Sequence, residues 1–234
     1  MPRDPEARSS KIERGKKFNL PKELVKPMTS TKCRLSYVHL LEPWTGQENK
    51  PARYSVQCLW DADDPWLKLA RTRIRDVAIA AFGEHAPRLL KGGKLKQPFR
   101  VGDDDFPDDE VYAGKVFCNA NGAYEGRKPP DILDPYKRNI RDMEDPEFLC
   151  YSGMYGRVSV TFLPYDMGGG RGVRCALNHV QFWEHGEPLA GGPSSESVFD
   201  VIEDAEDPFA KRKSSSNDNE DDDGEFDDDD EWEF

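Results

Sequence analysis

The sequence predicts a mainly β fold: a small five-stranded barrel with one substantial helix and a disordered acidic C-terminal tail. Three observations carry this expectation. Five segments read as strands by alternation and β-rich composition, while one segment has a helical period with start and stop signals. Hydrophobic residues make up 36% and charged residues 33%, an apolar share low enough to suggest a globular body diluted by unstructured ends. Twelve of the 45 acidic residues lie between Ser214 and Phe234, where no Lys or Arg occurs.

Residues 1–27 are polar, basic and Pro-containing, and read as a flexible arm. The first 34 residues carry ten Lys or Arg against four Asp or Glu. Residues 29–41, "TSTKCRLSYVHLL", alternate as a strand, with Cys33, Leu35, Tyr37 and His39 on one side and Arg34, Ser36 and Val38 on the other. "EPWTGQENKP" reads as a loop, and "ARYSVQCLW" as a second strand through Tyr54, Val56, Cys58 and Trp60. The helix follows. Asp64 can cap it, Pro65 suits its first position, and Gly83 can end it. Leu67, Ala70, Ile74, Val77, Ala78 and Ala81 form one buried stripe. Lys68, Arg71 and Arg75 line an outer face that is expected to be solvated.

Residues 84–110 look irregular. "VYAGKVFCNANG" reads as a strand from Val111 to Asn119 ended by Asn-Gly, and "RKPPDILDP" as a short extended segment. Residues 151–165 and 171–183 are two further strands that "DMGGG" joins as a hairpin. A closed or partly open barrel fits this order, of which the OB-fold is one type. The pattern does not separate it from a sandwich. The domain scheme is then an arm at 1–27, a body at 28–205 and a tail at 206–234.

The net charge of −12 conceals a division. Residues 1–213 hold 33 basic and 33 acidic side chains, so the last 21 residues supply the entire negative excess. Such segregation often accompanies binding to a polyanion. No apolar run approaches the roughly 20 residues of a membrane span, and the charged start lacks a secretory apolar core, so a cytoplasmic protein is expected. The five cysteines include no CxxC pair and the four histidines no HxxxH or HExxH pattern. No metal or cofactor is expected, and the odd cysteine count fits a reducing compartment.

Catalytic signals are weak. The acidic run Asp103, Asp104, Asp105, Asp108, Asp109 and Glu110 would suit a Mg²⁺-dependent nuclease, but it lacks the EF-hand glycine and reads better as a solvated loop. "GGG" at 168–170 has no following GK[ST]. The chain is therefore expected not to be an enzyme.

Cations alternate with rings on the strand segments. Arg34 flanks Tyr37, Arg53 precedes Tyr54, and Lys115 precedes Phe117. Arg157 and Tyr165 lie on one arm of the hairpin, and Arg171 and Arg174 on the other. Tyr124 with Arg127 and Lys128 forms a further group in a loop. Single-stranded nucleic acid requires this pairing, because cations neutralise phosphates and rings stack on bases at about 1–3 kcal/mol each. Any single strand ring is more often a packing residue; the collective pattern carries the expectation.

"GKVFCNANG", "RKPPDILD", "YSGMYGRVSVTFLPYD" and "GVRCALNHVQFWEHGEPLAGG" together resemble the phage single-stranded DNA-binding proteins formerly catalogued as a domain of unknown function. The resemblance covers roughly residues 28–205 and implies an OB barrel that binds single-stranded DNA in replication or recombination. The end of the chain is similar to the acidic, Phe-terminated tails of replication single-stranded DNA-binding proteins. Such tails bind partner proteins and compete with DNA, which would make Phe226, Trp232 and Phe234 the partner-binding residues. "EWEF" departs from the bacterial ending, which has Pro before the final Phe, so a phage-encoded partner is the expectation. Two other classes stand beside this one: a chaperone-like interaction module whose acidic tail binds basic partners, and the nuclease. Long strand edges also allow a homodimer.

Overall fold

In the computed structural model, residues 18–46, 51–167 and 170–189 are described. They fall in a unit that ends at Gly191; the second unit, Gly192–Phe234, lies outside the described residues. So do most of the predicted arm, the whole predicted tail, and with it Phe226, Trp232 and Phe234.

The strands are β1 (Met28–Thr29), β2 (Cys33–Trp44), β3 (Arg53–Asp61), β4 (Phe99–Val101), β5 (Lys115–Tyr124), β6 (Asp131–Leu133), β7 (Tyr155–Met167) and β8 (Gly170–Glu184). The five long ones close a ring in the order β2–β3–β5–β8–β7 and back to β2. Pairings are antiparallel except β5–β8 and β6–β8. The β5–β8 seam rests on one register pair, Asn121 with Ala176, so the ring is not an evenly laddered barrel. The strands at its margins, β1, β4 and β6, have two or three residues each. Among the described residues, ring closure thus leaves mainly short strands at the margins.

The helix α1 (Pro65–Phe82) has the predicted caps. The Asp64 carboxylate accepts hydrogen bonds from the Trp66 N–H at 2.8 Å and the Thr31 hydroxyl at 2.9 Å. Gly83 has φ of 88°, which a side chain resists. The stripe is buried as expected, with Trp66 added and Ala81 only half-buried. Replacing Asp64 by Ala is expected to cost about 1–2 kcal/mol, since it removes a cap and the bond to Thr31 together. Urea unfolding would show a lower midpoint at unchanged slope; an unchanged midpoint would refute this role.

The core lies inside the ring and under α1. The Trp60 and Trp66 rings stack at 4.7 Å, and Phe99 meets both edge-on at 6.0 Å. Each such ring buries about 150–250 Å² of mostly apolar surface. The exposed ion pairs, such as Lys26–Glu23, contribute only about 0–1 kcal/mol each, so ring packing dominates. All five cysteines are free and buried, and burial pushes the Cys58 thiol up and that of Cys150 to about 12.

Three expectations are corrected. Residues 84–110 contain α2 (Ala86–Lys91), β4 and α3, a single turn at Gly102–Asp105. β5 starts at Lys115, not Val111, and runs through Asn121-Gly122 to Tyr124. The glycine serves close approach rather than a turn, since a Cβ there would sit 2.8 Å from Pro130 Cγ. Finally, Tyr37 does not share the buried side of Cys33 and Leu35. Its φ is 46°, the β2–β3 register shifts between Ser36 and His39, and its ring is 59% exposed. This is a bulge, which re-aims one side chain and inverts the alternation beyond it, so Leu40 becomes buried.

Candidate nucleic-acid interface

A groove of about 780 Å³ crosses the outside of the ring where β3, β5, β7 and β8 meet. Arg53, Lys96, Arg100 and Arg174 line it against one acid, Asp166, together with the rings of Tyr124 and Tyr165. Arg100 pairs with Asp105 at 2.9 Å. Arg53, Lys96 and Arg174 have no ion-pair partner among the described residues. Burial pushes the Arg53 pKa down; the adjacent Tyr124 opposes this and the Arg174 guanidinium adds to it. Arg53 and Arg174, close enough to act on each other and neither ion-paired among the described residues, leave the site short of negative charge, which a phosphate would supply.

The Arg53 side chain is held in place, and Lys96 is positioned through its backbone. Arg53 Nε donates to the Gly122 carbonyl at 3.2 Å and its guanidinium lies 4.9 Å from the Tyr124 ring centroid. Lys96 comes from a loop that docks on β8, where Lys96 N–H donates to the Arg171 carbonyl at 3.0 Å and its carbonyl accepts from Val173 N–H at 2.9 Å. Gly172 permits this approach, because a Cβ there would collide with the Lys96 carbonyl.

Asn119 and Asn121 also line an adjoining recess of about 380 Å³, whose wall includes Tyr37, His39, Trp44, Gln57 and Phe106. The His39 and Trp44 rings lie 6.1 Å apart. Burial lowers the His39 pKa, so it presents a neutral ring at pH 7. Gln57 donates to Asn119 Oδ1 at 2.9 Å and accepts from the Tyr112 hydroxyl. Rings and amides along one groove with cations at its end can stack on bases and hold a backbone.

The predicted residues divide. Arg53, Tyr124, Tyr165 and Arg174 line the groove, and Tyr37 the recess. Arg171 is exposed opposite Asp166, beside the groove, and Arg127 and Lys128 are exposed on the turn after β5. Lys128 lies 3.4 Å from Asp131. Arg157 lies elsewhere on β7, its Nε donating to Gln181 Oε1 at 2.8 Å. Arg34 is tied to the Glu187 carbonyl at 3.0 Å, and Lys115 pairs with Asp61 at 2.5 Å; neither lines the groove. Phe117 is corrected outright. It is fully buried with Leu59 and Tyr112 under Phe106, and offers no face to a base.

Lys96, Arg100, Trp44, His39, Asn119 and Asn121 join the site without a local sequence signal that marks them as ligand-facing. "KGGKLK" is visibly basic, but only the docking on β8 brings Lys96 to the groove. Among the described residues no group of three or more His, Cys, Asp or Glu could hold a metal ion. Asp103 accepts from Gly114 N–H at 2.9 Å, and Asp109 from Val111 N–H at 2.9 Å, so these carboxylates brace their own loop. No described helix is long and apolar enough to cross a membrane.

The model of a family described as "Enterobacter phage Enc34, ssDNA-binding protein" matches residues 26–210. Protein p50 of Acyrthosiphon pisum secondary endosymbiont phage 1 is 31% identical over 110 residues, 47% of this chain and 55% of that protein. The chain thus spans about half the length of that relative. The solved single-stranded DNA-binding protein from bacteriophage Enc34, in complex with ssDNA, superposes with a TM-score of 0.55 at 21% identity, over 70% of this chain and 89% of that one. The single-stranded DNA-binding protein gp2.5 of bacteriophage T7 gives 0.51 at 17% identity, over 77% and 97%. At these identities the likeness is one of fold.

Proposed function

The chain belongs to the family of the Enterobacter phage Enc34 ssDNA-binding protein, and from that premise we propose that it binds single-stranded DNA in phage replication or recombination, as a binding protein rather than an enzyme. The observation that carries this reading is the groove in which Arg53, Lys96 and Arg174 lack ion-pair partners among the described residues beside the rings of Tyr124 and Tyr165. The cations neutralise the backbone, with counterion release making binding salt-sensitive. The rings stack on bases, which every base allows, so sequence preference is slight. Stacking needs unpaired bases, and duplex DNA does not offer them.

The acidic tail is proposed to compete with DNA for the same groove and, once displaced, to recruit a replication or recombination protein through Phe226, Trp232 and Phe234. Two observations support this. Twelve carboxylates without a cation imitate a nucleic-acid backbone. Leu189, the last described residue, lines a recess that also contains Tyr37 and His39.

Titration of labelled single-stranded and duplex DNA, across salt, with the full chain and with a chain ending at Lys213, tests both parts. Expected are a preference for single strands, an affinity that falls steeply with salt, and a several-fold gain on truncation at low salt. Equal affinity for duplex would overturn the function. Unchanged affinity after truncation would overturn only the competition by the tail.

A further inference from the structure

Arg157 does not line the groove, yet it is not idle surface. Its guanidinium lies 6.0 Å from the Trp183 ring centroid, and no described carboxylate pairs with it. Trp183 is 51% exposed. A half-exposed indole presents a face on which a base can stack. The two line a recess of about 330 Å³ with Pro135, Gln181 and Phe182.

A relay of hydrogen bonds makes this shelf rigid. Gln181 accepts from Arg157 and donates through Nε2 to the Asp134 carbonyl at 3.0 Å. The buried Asp134 carboxylate accepts from Tyr136 N–H and Arg138 N–H, both at 2.8 Å, and from Arg138 Nε at 2.6 Å. Those bonds pin the turn that carries Tyr136, a ring 80% exposed with the Arg138 guanidinium 5.5 Å from its centroid.

The shelf and the groove share β8. The outward row runs from Arg174 through Ala176 to Asn178, shifts at a bulge to His179, and continues to Gln181 and Trp183. Midway, Lys128, Asn178 and His179 line a further recess of about 210 Å³. One acid interrupts the row: Asp131 holds His179 at 3.1 Å and Lys128 at 3.4 Å. At the far end Glu184 is paired with Lys32 at 2.8 Å. The nine residue steps from Arg174 to Trp183 span about 30 Å.

We propose that the Arg157–Trp183 shelf is a second contact for single-stranded DNA, reached by a strand that leaves the groove at Arg174 and follows the outer row of β8. The inference rests on the groove being the primary site. Trp183 stacks on a base and Arg157 holds the adjoining phosphate. A strand short enough to fill the groove alone never reaches the shelf.

Two oligothymidylates test this: one at the low end of the site sizes known for OB-folds, about 4–6 nucleotides, and one beyond their upper end, about 20. Trp183→Leu and Arg157→Gln should each weaken the long oligonucleotide about tenfold and leave the short one unchanged. Trp183→Phe, which keeps a ring, should recover most of the long-strand affinity. Arg174→Ala should weaken both lengths. Unchanged long-strand affinity in Trp183→Leu and Arg157→Gln, with Arg174→Ala still weak, would overturn the shelf and leave the groove standing. Equal weakening of both lengths by Trp183→Leu, or no recovery with Trp183→Phe, would also overturn it. If Arg174→Ala bound both lengths like the parent, the groove itself would be wrong.

Discussion

Replacing Arg53 and Arg174 together by Ala is expected to weaken single-stranded DNA binding on the order of 100-fold at low salt. Hydrogen bonds to charged groups are worth about 1.5–3 kcal/mol each, and part of that is screened at a groove open to solvent. The dependence of log affinity on log salt should fall by about 1.4 units, from two phosphate contacts at about 0.7 each for a single strand. Stability should fall by only about 1–2 kcal/mol, from the Arg53 bond to the Gly122 carbonyl and its contact with Tyr124. Neither cation has an ion-pair partner among the described residues, and the burial of Arg53 beside Arg174 disfavours its charge. Lys115→Ala is the matched control, because Lys115 is engaged with Asp61 outside the groove. Loss of affinity with Lys115→Ala equal to that of the double variant would show that net charge, not the groove, governs binding.

Phe117→Ala is expected to destabilise the fold by about 3–5 kcal/mol, the usual range for a buried phenylalanine. The ring is enclosed by Tyr112 at 5.4 Å and Phe106 at 5.5 Å, with the Arg100 guanidinium 4.6 Å from its centroid. Its loss would also loosen the 102–114 loop, which rests on it and carries Phe106 to the recess. Thermal or urea unfolding would register the loss, while protein still folded should retain most of its DNA affinity. A variant of unchanged stability with sharply weaker binding would return Phe117 to the role its sequence neighbours suggested.

That reversal has a physical reason. Alternation assigns residues to two faces of a strand, and on a ring of strands one face is normally core and the other solvent. Here a second small layer covers part of the outer face. Phe106 and Tyr112 lie over Leu59 and Phe117, so those two strand positions are buried although they point outward. Nothing local in "GKVFCNANG" distinguishes a ring that meets a base from one that meets a loop packed over it. Tyr37 errs in the opposite direction. Alternation places it on the same side as Cys33 and Leu35, and a single bulge exposes it.

Local chemistry was nonetheless informative. The Asp64-Pro65 start and Gly83 stop of α1 follow from capping and backbone freedom, which neighbouring residues decide. The long strands could be read from alternation, and the candidacy of Arg53, Tyr124, Tyr165 and Arg174, which all line the groove, from the residue types alone. The partition of charge, neutral through Lys213 and wholly acidic beyond, is a property of the sequence and needs no fold.

Proximity across the ring is what the sequence could not supply. Arg53 and Arg174 are 121 positions apart, and the meeting of β5 with β8 at Asn121 and Ala176 brings their strands together. Lys96 joins them only because Gly172 lets a loop lie against β8. Arg157 and Tyr165 share β7 but lie about 26 Å apart along it, and the packing around the strand puts one on the shelf and the other in the groove. Residue type and spacing determined that the chain holds strands, one capped helix and a store of cations and rings. Ring closure, one bulge and one packed-over face decided which of those side chains can touch a ligand, because burial depends on what covers a residue and not on the residue itself.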